Sequence, residues 1–261
     1  MKRILITGAA GGVATALRSL LRQHYLLRLS DRRPVNALVE GEESIPADLG
    51  DMDALRRAVA GVDGIVHLGG FPRESDWETI LEANIVGTSN LFEAARLEGV
   101  RRVVFASSNH AMGFYPKAQK IPVATPVRPD SRYGLSKAFG EAIGSLYADK
   151  YGAEVLSIRI GHVLPKPFDK RRLAIWISPR DLAQLIRIGL DHPGVRNEIV
   201  YGMSDNARAW WDNSNADRLG YRPMDRSEDY AAEAIAGDRD TTGDDRADLN
   251  QGGEFCIAER M

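Results

Sequence analysis

"RILITGAAGGVATALRSLLRQH", residues 3–24, decides the fold. Its first five residues, Arg3 to Thr7, form an apolar run of strand length, and from about Gly12 to His24 small and apolar side chains recur at helical spacing. Between them lies Gly8-Ala9-Ala10-Gly11-Gly12. Gly8, Gly11 and Ala14 let a backbone approach a pyrophosphate, and a helix N-terminus supplies amide donors and positive dipole. A glycine cluster alone makes ordinary turns. Set between a strand and a helix, it predicts the first unit of a dinucleotide-binding domain.

Downstream the same rhythm repeats. Strand-like runs stand at 26–30, about 44–46, 64–68, 102–106 and 155–160. Helical patterns cover about 51–60, a long stretch from the capping box Ser75-Asp76-Trp77-Glu78 to Glu98-Gly99, and about Tyr133 to Lys150. Continuous apolar strands separated by helices predict an α/β fold, a doubly wound parallel sheet of Rossmann type with ligands outside the strands' carboxyl ends. Past Ile160 the rhythm changes. Ser178-Pro179-Arg180-Asp181 starts another helix, "EIVY" (198–201) offers one more strand, and the chain turns polar and acidic from about Gly202. We expect one domain over 1–261, with a dinucleotide-binding core over approximately 1–160 and a small substrate cap over approximately 161–261.

Composition narrows the function. The chain is 44% hydrophobic and 27% charged with a net charge of −2, which gives no electrostatic case for nucleic acid or an anionic membrane. No stretch approaches the roughly 20 apolar residues of a membrane span, and the N-terminal apolar run is too short for a signal peptide. A single cysteine, Cys256, excludes an intrachain disulfide and suits a reducing cytoplasm. The five histidines (24, 67, 110, 162, 192) lack metal-ligand spacing, and no Gly-x-Ser-x-Gly elbow supports an esterase.

Two further features carry chemistry. Asp31, at the end of the second strand, is placed to accept hydrogen bonds from the adenosine ribose hydroxyls and to repel a 2′-phosphate, so NAD is the expected cofactor; Arg32 and Arg33 are the residues that oppose this preference. Tyr133 and Lys137 lie four apart in "RPDSRYGLSKAFGE" (128–141), on one face of the predicted helix, where an ammonium lowers a phenol's pKa toward working pH.

With "VHLGG" (66–70), Asp48-Leu49, Asn84 in "EANIVGT" and Ser107-Ser108, these motifs resemble the extended branch of the short-chain dehydrogenase/reductases, the epimerase-like proteins. "VFASSNH" followed by "GFYP", then "RIG", "WWDNS" and "QGGEF" extend the likeness nearly end to end, to the uronate dehydrogenase family. That resemblance implies NAD-dependent oxidation of glucuronate or galacturonate at C1 to an aldarolactone, by a cytoplasmic enzyme that self-associates. It implies Tyr133 as acid/base, Lys137 and Ser108 as its catalytic partners, and a sugar held by Ser108, Asn109, His110 and Tyr133. The family pattern sets a carboxylate-binding arginine five residues before a tryptophan, which is Arg171 here, with Arg172 as rival, and Phe255 closes the pocket. Cofactor contacts are implied at Gly8, Gly11, Gly12, Val13, Asp31, Asp48, Leu49, Leu68, Gly69, Asn84, Tyr133, Lys137 and Ile160, with Asp48 at the adenine amine. Pro72 and His162 stand where related sequences carry serine, and His162 brings a further donor to the pocket. A nucleotide-sugar epimerase or dehydratase and a non-catalytic NAD-binding protein are the alternatives. The short C-terminal region counts against the first, and the retained Tyr/Lys pair against the second.

Overall fold

The computed structural model describes residues 1–238 and 242–258. Its strands are β1 (Arg3–Thr7), β2 (Leu26–Ser30), β3 (Glu42–Ser44), β4 (Gly64–His67), β5 (Arg102–Ser108), β6 (Ile121–Pro122), β7 (Glu154–Ile160), β8 (His162–Val163), β9 (Trp176–Ile177), β10 (Asn197–Gly202) and β11 (Trp211–Asp212). The principal helices are α1 (Gly12–Leu21), α2 (Met52–Val59), α3 (Trp77–Ile80), α4 (Gly87–Leu97), α5 (Arg132–Tyr151), α6 (Lys170–Ile175) and α7 (Pro179–Asp191).

Seven strands form one parallel sheet in the order β10-β7-β5-β4-β1-β2-β3. Both faces are covered, so neighbouring residues of one strand enter different cores. Ile4, Ile6, Val66 and Val104 pack with Leu17, Leu21, Leu182 and Ile186 on the side of α1 and α7. Leu5, Ile65, Val103 and Val155 pack with Leu55, Leu91, Phe92 and Tyr147 on the side of α2, α4 and α5. Each such aliphatic side chain, taken fully out of water, contributes about 1.5–3 kcal/mol. This two-sided burial explains continuous apolar runs in place of alternation.

The strand order reverses between β1 and β4, and there Thr7 pairs with His67 at the carboxyl edge. That reversal opens the crevice where ligands of such sheets lie.

Several boundaries differ from those expected. β5 runs on through Ser107 and Ser108, whose side chains are buried, so the polar pair belongs to the strand itself. Asp76, not Ser75, caps α3 by accepting from Thr79 N, and α3 reaches α4 through a π-helical segment, Leu81–Val86. The short third strand lies at Glu42–Ser44, slightly before the expected 44–46. The strand expected at 198–201 is present at Asn197–Gly202. β10 pairs with β7, and α7 packs on α1 and supplies the core facing it. Ala216, Leu219 and Tyr221 also join the core on the α1 and α7 side, while a third cluster of Met112, Ile121, Ile175, Tyr201 and Trp211 lies outside the sandwich.

Candidate active site

The glycine loop comes first along the chain. Gly8 has a φ of +67°, and a Cβ there would lie 2.8 Å from Leu68 O and Gly69 N, so β1 and β4 meet at this point only through glycine. Gly11 N bonds Gly8 O (2.9 Å), which turns the chain into α1. No side chain caps α1, its first turn holds no acid, and a Cβ on Gly12 would meet nothing within 4 Å. Open amides without a competing carboxylate fit a pyrophosphate, so the residues present suit a dinucleotide. Val13 packs inward against the core.

At the next strand end, Asp31 accepts from Ala10 N (3.1 Å) and Arg33 N (2.9 Å). The Arg33 guanidinium is drawn to Ala10 O (3.1 Å) and stands 3.6 Å from the Asp31 carboxylate. Asp48 accepts from Gly50 N (2.7 Å) in the exposed turn before α2, and Leu49 O accepts from Asn90 (2.9 Å). Gly69 N donates to Thr7 Oγ1 (3.2 Å), which also meets the buried His67 ring (2.7 Å). Burial, helped by Lys137 nearby, pushes His67 down to about 3, so this ring is neutral. Asn84 is 3% exposed and fully occupied: it clasps Phe71 through N (2.6 Å) and O (3.1 Å) and donates to Ser136 Oγ (2.9 Å). Its bonds tie the loop after β4 to α5, and none of them leaves the protein. Ile160 closes β7 opposite Ser108.

The chemistry gathers where β5 meets α5. Ser131 caps α5 by accepting from Gly134 N, which sets Tyr133 and Lys137 in its first two turns. Lys137 Nζ donates to Ala106 O (2.9 Å) and stands 5.5 Å from the centre of the Tyr133 ring. Burial lowers Lys137 to about 8. Burial likewise raises Tyr133 to about 12, opposed by a hydrogen bond from Ser108 and assisted by the charge of Asp130. Ser108, Asn109 and His110 follow without a break, the last two in a single 3-10 turn. Asn109 is 1% exposed, and its Nδ2 has no hydrogen-bond partner among the described residues. A buried donor left in that state suits an incoming acceptor.

The far wall comes from the chain's later part. Phe255 stacks on His110 at 3.7 Å and stands 5.9 Å from Tyr133. Arg171, 9% exposed, donates to Gln251 O (2.7 Å) just before that segment and stands 6.0 Å from the Trp210 ring. Arg172 is bound to Asp169 (2.6 Å) and donates to His162 Nδ1 (3.3 Å). Burial first, then Arg172 and Arg171, hold His162 down to about 4. Pro72 lies exposed in the loop pinned by Asn84.

Two contributors were missed from sequence. Asp130 bonds His110 Nδ1 (2.7 Å), and Glu74 accepts Tyr133 N (2.9 Å) at the start of α5. Asp130 stands beside the cap residue and reads as part of a turn, and Glu74 sits in a polar loop; neither position carries a signal. Among the described residues no cluster of His, Cys, Asp or Glu could hold a metal, and no helix is long and apolar enough to cross a membrane.

A glycine loop at a sheet's switch point, beside a tyrosine and a lysine one helical turn apart, defines a dinucleotide-dependent enzyme of the short-chain type. The chain belongs to the NAD dependent epimerase/dehydratase family, whose model matches residues 4–212. Within that family it is 48% identical to uronate dehydrogenase of Pseudomonas putida over 98% of this chain and 96% of the relative. The glucuronic acid dehydrogenase of Chromohalobacter salexigens superposes with a TM-score of 0.95 at 45% identity, over 99% of this chain and 97% of that one. A mutant uronate dehydrogenase from Agrobacterium tumefaciens, complexed with NAD, gives 0.94 at 40% identity over 99% and 98%. The chain thus falls in the uronate dehydrogenase branch of the family, as its motifs had implied.

Proposed function

We propose that this protein oxidises a hexuronate, D-glucuronate or D-galacturonate, at C1 to the aldarolactone with NAD. The observation that carries this reading is Arg171, a buried guanidinium beside the segment that brings Phe255 onto His110. A guanidinium there suits a carboxylate, which loses hydration on entry and needs charged donors in return. Arg172 is the weaker candidate because Asp169 already neutralises it.

Gly8, Gly11, Gly12 and the open start of α1 would hold the pyrophosphate, and Asp31 the adenosine ribose. When bound, NAD supplies the hydride acceptor. Tyr133 takes the proton of the C1 hydroxyl, Ser108 hydrogen-bonds the same oxygen, and Lys137 stabilises the phenolate. Asn109 and His110 meet ring hydroxyls, while Phe255 excludes water from their side. His162, half-buried and neutral, adds a donor on the side of Arg171. In this reading the sheet's crevice binds the cofactor, and the segments after residue 160 that lie outside the sandwich cap the sugar.

We extend the proposal to a cytoplasmic enzyme that self-associates. A free, buried Cys256 is in keeping with a reducing compartment. Exposed Val86 and Leu97 on the α4 side, and Leu135 and Leu146 on α5, are each eleven residues apart and so share a face. NADH absorbance with glucuronate, galacturonate, glucose and galactose tests the activity. NADH should form with the acids and barely with the neutral sugars. Equal use of both classes, or none with tightly retained NAD as in an epimerase, would overturn it.

A further inference from the structure

We infer that Asp130 is a positioning residue for the sugar: it keeps a proton on His110 Nδ1, which leaves Nε2 as the ring nitrogen that meets the substrate as a hydrogen-bond acceptor. The inference rests on the sugar-acid reading above.

Asp130 Oδ2 lies 2.7 Å from His110 Nδ1, and the Asp130 side chain has no exposed surface. Its other oxygen accepts from Ser131 Oγ (2.7 Å), whose lone pair is in turn used by Gly134 N (3.0 Å). Ser131 therefore donates its proton to Asp130. An ionised carboxylate only accepts, so the imidazole nitrogen facing it must be the one that carries hydrogen.

The carboxylate cannot easily move. It passes between Gly113 and Gly252, where a Cβ on either would come within 1.7 or 2.1 Å of Oδ2, and those two residues are joined by Gly252 N to Gly113 O (2.8 Å). Asp130 N also bonds His110 O (3.2 Å), which fixes the acid's backbone to the histidine's own turn. Phe255 covers one face of the imidazole at 3.7 Å with planes 22° apart, and Tyr133 stands edge-on at 5.8 Å. Ring rotation is thus blocked, and Nε2 is the ring's one polar atom left over. A hydroxyl donates once and accepts through its oxygen. One sugar hydroxyl can then give its proton to His110 Nε2, while the orphaned Asn109 Nδ2 has acceptor oxygens to meet. A histidine free to choose its tautomer would at times present Nε2–H instead, which would compete with Asn109 Nδ2 for the sugar oxygens and leave the hydroxyl proton without this acceptor.

The test uses the full-length protein labelled with 15N-histidine. Two-bond proton–nitrogen correlation identifies the tautomer of each neutral ring, and His110→Gln assigns the signal among the five histidines. His110 should carry its proton on Nδ1. In Asp130→Ala that signature should be lost, and KM for the uronate should rise about tenfold with kcat kept within about threefold, because the contact is made equally before and in the transition state. Asp130→Asn keeps the shape and one acceptor oxygen, and it should retain both the tautomer and most of the affinity. A wild-type His110 unprotonated at Nδ1, or protonated on both nitrogens, would overturn the inference. So would an Ala variant with unchanged tautomer and KM, or an Asn variant as impaired as Ala. If Asp130→Ala does not fold, the wild-type and Asn spectra still decide. The spectrum needs no substrate: an Nδ1 proton in an enzyme inactive on every uronate would refute the sugar-acid reading and leave Asp130's hold on His110 standing.

Discussion

Replacing Lys137 by methionine keeps the length of the side chain and removes its charge. Lys137 Nζ stands 5.5 Å from the centre of the Tyr133 ring, with Lys137 buried and Tyr133 half-buried. One unit charge at that separation, at an effective dielectric constant of about 20, is worth about 3 kcal/mol to a phenolate. That is about two pKa units, or a loss of about 100- to 200-fold in turnover near pH 7. The pH profile gives the sharper test. Burial brings Lys137 down to about 8 and Tyr133 up to about 12, so the pair releases its first proton near 8. Only the form with phenolate Tyr133 and ammonium Lys137 accepts the substrate's proton, but it has the same proton count as the neutral pair, so the rate follows the singly deprotonated pair and its apparent pKa belongs to both. Because a base must be deprotonated, kcat/KM of the wild type should climb tenfold per pH unit below about 8 and level off above. Without the lysine the group left to titrate is Tyr133, near 12, so Lys137→Met should keep climbing through pH 10. Initial rates from pH 6 to 10, with NAD affinity followed by fluorescence quenching, measure both effects. A variant that still levels off near 8, or loses less than about tenfold at pH 7 with NAD affinity intact, would refute the reasoning.

Arg171→Ala should lower kcat/KM for glucuronate or galacturonate by about 1.5–3 kcal/mol, the range for hydrogen bonds to charged groups, and leave residual activity on neutral sugars nearly unchanged. Arg172→Ala should cost less, since its charge is already spent on Asp169 and His162; steady-state kinetics on both sugar classes would expose a wrong choice of arginine as a larger uronate-specific loss for Arg172. Catalytic efficiency with NAD should exceed that with NADP by at least about tenfold, or about 1.4 kcal/mol, because the Asp31 carboxylate lies beside the loop and Arg33 is turned onto Ala10 O. Equal efficiencies would mean that Arg32 or Arg33 cancels that carboxylate.

What sequence reveals here follows the range of the forces involved. The sheet was legible because each strand is buried on two faces, and that demands unbroken runs such as those of β1 and β4. Tyr133 and Lys137 could be paired because a helix fixes the distance between positions four apart. Asp130 and Glu74 were hidden because each acts across a gap between elements, and a turn acid bonded to a histidine twenty residues earlier looks like any other turn acid. Asn84 carried a recognisable motif, yet its bonds to Phe71 and Ser136 depend on a π-helical segment that no periodicity announces. The last strand, by contrast, was legible in "EIVY". The change in rhythm after Ile160 marks an excursion of the chain, and β10 returns to the sheet once it is over.

Phe255 has a consequence for how the enzyme comes into being. Every strand of the sheet has left the ribosome's active centre once Gly202 is made, and the glycine loop, Tyr133 and Lys137 are in place well before that. Gln251, which receives Arg171, and Phe255, which covers His110, are added some fifty residues after Gly202. A nascent chain can therefore own a finished sheet and a bound dinucleotide while its sugar site is still open on one side. Translation stalled in that interval would leave the strands made and the sugar site without its last wall, so cofactor retention is a poor surrogate for a completed molecule.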